Sequence, residues 1–318
     1  MIINTGQRTD IPAFYSEWFF NRVREGFVMT RNPYDPRRIS RYKLDPETVD
    51  AICFCSKNPA PMIPRLSELS AFRQYWHVTI TPYGRDIEPF VPPKEEVMES
   101  FRRLSDIVGK NRIVWRYDSI FISGKYTTEK HLETFARMAA ELSGYTDFCV
   151  ISFIDLYAKT RRNFGEARAV SREERARIGE GFARIAAEHG IRLRACAEGT
   201  DLERFGIDCR GCMTREALEE ALGERLLITG KRTAREACDC LLEHDIGAYN
   251  TCGHGCLYCY ANYDRKTVEE NSRLHDPRSP LLIGRPGKDD IIKEVAAKSC
   301  IDHQYSLFEY EREHKLSK

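Results

Sequence analysis

Cys252, Cys256 and Cys259 follow one another with C-x3-C-x2-C spacing, and Tyr258 stands immediately before the last of them. Thiolates are soft ligands suited to iron–sulfur clusters and zinc, and three this close can hold three corners of one cubane. The fourth iron is then left without a cysteine, whereas an electron-transfer cluster is usually closed by four. An open metal position suits chemistry in which a substrate or cofactor must coordinate, the same distinction that separates catalytic from structural zinc. Gly253 and Gly255 let such a loop wrap tightly and turn its amides toward the sulfurs. A zinc knuckle, or a cluster closed by a distant fourth cysteine, is the alternative for the same residues.

A second group precedes the first. Eight of the 12 cysteines lie between residues 196 and 259, a concentration that points to ligation rather than scattered core thiols. Cys196 ends an apolar run, Cys209-x-x-Cys212 follows, and Cys238-x-Cys240 sits just before the loop. Four thiolates from this set can close an auxiliary iron–sulfur cluster or a tetrahedral zinc site, and C-x2-C is a common zinc half-site. C-x-C spacing beside another cluster tilts the choice to iron–sulfur. Cys149 and Cys300 read as inert buried thiols.

These ligands need a scaffold. Short β-rich runs at 1–5, 51–55, 75–81, 112–117, 148–154 and 191–196 alternate with helical patterns at 13–26, 94–109, 128–144 and 171–190, each helix closing on glycine. That alternation predicts right-handed βαβ units, an α/β fold and a parallel (β/α) barrel. The boundaries expected are 1–198 for the barrel part and 199–245 for a cysteine-rich insertion with the auxiliary site. A closing strand (245–250) with the cysteine loop fills 246–286, and a C-terminal helix and tail fills 287–318. Chemistry in such barrels sits at the carboxyl ends of the strands. The polar candidates there are Lys57, Asn58, Thr81, Arg116, Asp118, Ser152, Asp155 and Glu198, with Tyr117 and Tyr157 as residues that could shape a pocket or relay hydrogen. Arg116 and Asp118 share a strand face and could simply pair with each other. His254 reads as a solvated loop histidine.

Bulk composition narrows the partners. With 49 basic and 48 acidic residues the net charge is +1, which favours a small-molecule or peptide substrate over nucleic acid. Arg37, Arg38, Arg41 and Lys43, interleaved with Tyr34 and Tyr42, could touch a phosphate backbone but are better read as a solvated loop. No run is long and apolar enough for a membrane span, and the first residues lack signal-peptide character, so a cytoplasmic protein is expected.

The cysteine loop, with its tyrosine and glycines, resembles that of the radical S-adenosylmethionine superfamily. The resemblance implies a [4Fe–4S] cluster on Cys252, Cys256 and Cys259, chelation of S-adenosylmethionine at the open iron, and its cleavage to a 5′-deoxyadenosyl radical. It further implies an electron donor such as a flavodoxin or ferredoxin, and Cys196, Cys212, Cys238 and Cys240 as the auxiliary set with Cys209 spare. In that superfamily the loop usually follows the first barrel strand, whereas here it lies near residue 255. Circular permutation is the simplest physical account: 245–250 closes the barrel beside 1–5, so residues 1–10 take the second-strand position. Gly6, Arg8 and Asp10 then join Tyr258, Lys57, Asn58 and Ser152 as candidate cofactor contacts, with Arg116, Tyr117, Asp118 and Asp155 as catalytic candidates. Asp10 is equally a helix cap ahead of Ile11-Pro12.

Up to about residue 284 the chain also resembles a bacterial family defined by domain of unknown function 1848. The likeness rests on Arg8–Tyr15, Ser56–Pro59, Trp115–Asp118 and Asp245–Cys252. Gly255–Ala261 alone resembles the cluster loop of spore photoproduct lyase, which makes a nucleic-acid repair enzyme the alternative activity. A non-catalytic zinc or iron–sulfur protein is the alternative of another class.

Overall fold

The computed structural model describes residues 1–156, 158–229, 238–296 and 298–302. Its first strand is β1 (Ile2–Asn4); β2 (Phe27–Arg31) and β3 (Arg38–Lys43) form an antiparallel hairpin. Next come β4 (Ala51–Ser56), β5 (Gln74–Thr79), β6 (Ile113–Ile120), β7 (Phe148–Phe153), β8 (Arg192–Ala195) and, near the end, β9 (Ile291–Glu294). Six of these make one parallel sheet in the order β1-β4-β5-β6-β7-β8, and β2-β3-β9 make a small second sheet. Among the described residues no ladder joins β8 back to β1.

The helices are α1 (Ile11–Phe14), α2 (Ser16–Glu25), α3 (Lys94–Val108), α4 (Thr128–Leu142), α5 (Ala158–Asn163), α6 (Arg172–Glu188), α7 (Arg215–Leu222) and α8 (Arg265–Arg273). Their ends are set locally. Thr127 and Thr214 accept from the amides of Lys130 and Ala217, and Ser171 with Glu174 forms a reciprocal capping box. α2 and α7 stop at Gly26 and Gly223 in the left-handed conformation.

Strand alternation gives the large sheet two different faces. Ile3, Ile52, Phe54, Trp76, Trp115, Tyr117 and Ile151 meet α2, α3, α4 and α6 in the main core. Trp115 stacks on Phe135 and Phe135 on Phe182, with centroids 4.7 and 3.8 Å apart, tying β6 to α4 and α6. The opposite face presents Cys53, Tyr75, Val114 and Val150, and is covered by α7 and the buried cysteines of the 196–241 stretch. The insertion, α7 included, thus covers a face that α2, α3, α4 and α6 leave bare.

Three expectations need correction. Residues 245–250 are not a strand: they contribute one parallel bridge, Asp245 to Asn4, flanked by bonds from Ile246 N to Asn4 O and from Asn4 N to His244 O. The Asp245 carboxylate accepts from the amides of Gln7 and Gly247, and Asn250 sits at φ +57°, so the backbone turns away instead of extending. The segment does lie beside β1. The described residues from 287 to 302 hold no helix either: Ile291–Glu294 pair in parallel with β3, and the β-branched Ile291-Ile292 after Pro286-Gly287 suit that geometry. Residues 38–43 form a strand of this same sheet, burying Ile39 and Tyr42, while Arg38, Arg41 and Lys43 pair with Asp35, Glu294 and Asp45. The expected charged end and Tyr157 lie outside the described residues.

Gly6 marks where β1 presses on β4. A Cβ there would stand 2.2 Å from Cys55 Cβ and 2.7 Å from its carbonyl oxygen. Gly6→Ala is expected to force the strands apart and cost about 1–3 kcal/mol, seen as a lower urea midpoint. An unchanged midpoint would show that this approach is not structurally required.

Candidate metal centres

The C-x3-C-x2-C loop lies over the carboxyl ends of β1, β4 and β5, held there mostly by backbone bonds. Leu257 N donates to Ile87 O at 3.0 Å, Phe90 N to His254 O at 3.2 Å, and Tyr15 Oη to Thr251 O at 2.7 Å. Asn262 Nδ2 donates to Cys252 O and Ala261 N to Cys259 Sγ, closing the loop on itself. Gly255 is left-handed at φ +69°, and a Cβ there would strike the Phe90 ring at 2.9 Å. Cys252, Cys256 and Cys259 are all half-buried. Burial pushes the Cys256 thiol up to about 12, with Lys57 opposing the rise and Glu88 adding to it. Burial likewise raises Cys252, with Asp10 the largest charge acting on it.

Asp10 joins three segments. It caps α1 through the Ala13 amide at 3.0 Å, and its other oxygen accepts from Lys57 N at 2.7 Å and pairs with His254 Nε2 at 2.8 Å. Asp10 is therefore the helix cap that one reading expects, and it also reaches the cysteine loop through His254. His254 is buried on this carboxylate, not solvated as expected. Asp10→Ala removes acceptors for all three donors and is expected to cost about 1–3 kcal/mol and expose the loop to proteolysis. Asp10→Asn, which keeps an acceptor oxygen, should fall between; equal protection in all three proteins would contradict this role.

Beside Cys256 lies an ionic group buried at the sheet's mouth. Glu88 is fully enclosed and accepts from Lys57 Nζ at 2.8 Å and Thr81 Oγ1 at 2.9 Å; Lys94 Nζ and Tyr258 Oη close the ring. Tyr258 Oη also accepts from Lys57 Nζ at 2.9 Å. Burial alone would raise the Glu88 carboxyl, but Lys57 and Lys94 outweigh it and hold the group down at about 2. The lysines diverge: Lys57 is raised because Glu88 overcomes its burial, whereas burial and the neighbouring Lys57 leave Lys94 lowered. Sequence reasoning found Lys57, Thr81 and Tyr258 but missed Glu88 and Lys94. Glu88 lies in an aperiodic loop and Lys94 reads as an ordinary exposed helix start, so neither carries a local signal.

Arg116, Asp118 and Ser152 form one chain of contacts on the insertion-covered face. Arg116 pairs with Asp118, Ser152 Oγ donates to Asp118, and Arg116 Nη1 lies 3.8 Å from Cys55 Sγ. Asp118 lies in the field of Lys57, and Arg116 in that of Cys196 and Cys212. Tyr117 points to the other face, where its hydroxyl meets His131 Nδ1 at 2.9 Å beneath α4 and α6. Strand alternation separates it from its neighbours, and it leaves the candidate site. Asp155 is exposed, in the field of Arg175. Glu198 accepts from Phe153 N at 2.7 Å and pairs with Arg175. The Asn58 side chain accepts from Ala60 N, a turn cap. Arg8 binds Asp245 at 2.9 Å and so fastens the 245–250 segment to β1. His77, also missed, is fully buried on β5 with both ring nitrogens unpartnered, in the field of Arg116 and Cys196.

Cys196, Cys212, Cys238 and Cys240 converge under the sheet. The sulfurs of Cys196, Cys238 and Cys240 lie within 4.8 Å of one another, a group able to hold a metal ion, and Cys212 Sγ lies 3.6 Å from Cys240 Sγ. All four are buried. Cys196 is lowered because Cys212, Cys238 and Cys240 can all donate to its thiolate, and Cys240 is correspondingly raised. Cys209 stands apart, with Sγ 3.5 Å from Ile207 O and its thiol pushed up to about 11 by burial.

No helix among the described residues is long and apolar enough to cross a membrane. No curated protein and no solved structure matches the chain. A family model described as Domain of unknown function (DUF1848) matches residues 2–261, which include both cysteine groups and the parallel sheet. That span is most of the molecule, and the chain belongs to the DUF1848 family.

Proposed function

We propose that this protein is a radical S-adenosylmethionine enzyme with a circularly permuted barrel-type sheet. The observation that carries this reading is the placement of the C-x3-C-x2-C loop over the carboxyl ends of parallel strands, beside β1, despite some 240 residues of intervening chain. The donor set suits an iron–sulfur cluster: three thiols on one loop, half-buried, with Ala261 N already donating to Cys259 Sγ. Cys252, Cys256 and Cys259 would hold a [4Fe–4S] cluster, which when bound supplies the electron that splits S-adenosylmethionine into methionine and a 5′-deoxyadenosyl radical.

The chain's own residues have separable tasks. Asp10 and His254 hold the loop against α1, fixing the direction from which a cofactor meets it. Lys57, Lys94 and Glu88 place a fixed, largely dehydrated charge group next to Cys256, where an amino-acid zwitterion can be oriented by both signs of charge. Arg116, Asp118 and Ser152, partly exposed on the insertion-covered face, can bind a polar substrate, whose identity stays within small molecules and peptides. An acidic one-electron carrier would supply the reductant.

Anaerobic reconstitution tests the ligand assignment. Wild-type protein should gain about four irons and four sulfides at this loop and then bind S-adenosylmethionine in a calorimeter. An iron and sulfide content unchanged from wild type after removal of all three cysteines would overturn it.

A further inference from the structure

We infer that the buried group of Cys196, Cys212, Cys238 and Cys240 holds a single tetrahedral zinc ion and not a second cubane. Zinc–sulfur bonds of about 2.3 Å set the edge of a thiolate tetrahedron at about 3.8 Å. The 3.6 Å between Cys212 and Cys240 is close to that edge, and Cys196, Cys238 and Cys240 gather within 4.8 Å of one another, with Cys212 joining the group through Cys240. A cubane places four irons and its sulfides between the cysteines, so its thiolates stand farther apart than ligands that share one ion. The C-x3-C-x2-C loop makes the internal comparison. Its three sulfurs are not gathered within 4.8 Å, as a multi-iron cluster requires.

The surroundings fit a closed, dianionic site. Cys240 Sγ already accepts from Cys212 N at 3.2 Å and Met213 N at 3.3 Å, bonds that stabilise a thiolate. Arg116 supplies a half-buried positive charge in the field of Cys196 and Cys212. Gly211, at φ +135°, brings the backbone so near that a Cβ would lie 2.8 Å from Cys240 Sγ. Cys209 points away, so the C-x2-C pair contributes one ligand, and four thiolates leave no open position. The site is therefore structural: it clamps Cys196, the segment of Cys212 with α7, Cys238 and Cys240 over the sheet face that has no helix of the main core.

The inference is independent of what the C-x3-C-x2-C loop holds, and the test keeps the two apart. Cys256→Ala protein, made in medium containing both iron and zinc, retains the buried group intact and is analysed for iron, zinc and acid-labile sulfide. About one zinc per chain, with no iron–sulfide gain on reconstitution, is expected. Cys209→Ala should keep that zinc, whereas Cys240→Ala should lose it and become protease-sensitive between 196 and 240. Growth on cobalt should give the visible absorption of a tetrahedral cobalt–thiolate centre. About four irons with sulfide in the Cys256→Ala protein, or no metal at all there, would overturn the inference.

Discussion

Cys256→Ala is expected to lower reductive cleavage of S-adenosylmethionine at least about a thousandfold, a loss of about 4 kcal/mol of transition-state stabilisation. The variant should lose about four irons per chain while its circular dichroism and melting temperature stay close to wild type. The fold should persist because the loop is anchored by Leu257 N on Ile87, Phe90 N on His254 and Tyr15 on Thr251, none of which uses the Cys256 thiol. Activity assays beside metal analysis check this. Normal cleavage by the variant would exclude the loop as the catalytic ligand set.

Glu88→Gln should produce the largest stability loss of any single substitution at the sheet's mouth. The carboxylate is fully enclosed and faces two largely buried ammonium groups, Lys57 and Lys94. Removing its charge leaves both cations uncompensated in a site of low dielectric, at an expected cost of about 3–5 kcal/mol. The pH dependence follows from the same pair. The folded carboxyl, near 2, lies below its ordinary 4.5, so its contribution is complete above about pH 4.5 and is lost as the pH falls through about 2. The stability gap between wild type and Glu88→Gln, measured by urea unfolding, should therefore be constant near neutrality and shrink in that acidic window. A gap independent of pH down to 2 would place the cost in packing and not in charge.

Much of this architecture is legible in the sequence, because the parallel strands are short continuous apolar runs and their helices end on glycine. Trp115-Arg116-Tyr117-Asp118 shows both the reach and the limit of such reading. Its strand character is evident, yet only period-two alternation sends Arg116 and Asp118 to the insertion side and Tyr117 beneath α4. The hairpin at 27–43 was obscured by its density of arginine, since the buried positions Val28, Ile39 and Tyr42 are few and widely spaced. The closing segment 245–250 has strand-like composition, but Asp245 diverts it through side-chain bonds to the amides of Gln7 and Gly247. The cysteine groups were visible from spacing. Much of their environment was not, because Glu88, Lys94 and His77 reach the sites from a loop, a helix and a separate strand, and no local pattern encodes that convergence.

The most direct measurement is detection of 5′-deoxyadenosine by mass spectrometry. Anaerobically reconstituted wild-type protein is mixed with S-adenosylmethionine and a strong one-electron reductant, with Cys256→Ala alongside. Time-dependent formation of 5′-deoxyadenosine and methionine by the wild type, absent in the variant, is the result expected. A colourless protein that takes up zinc alone, and leaves S-adenosylmethionine intact under reduction, would contradict a radical enzyme.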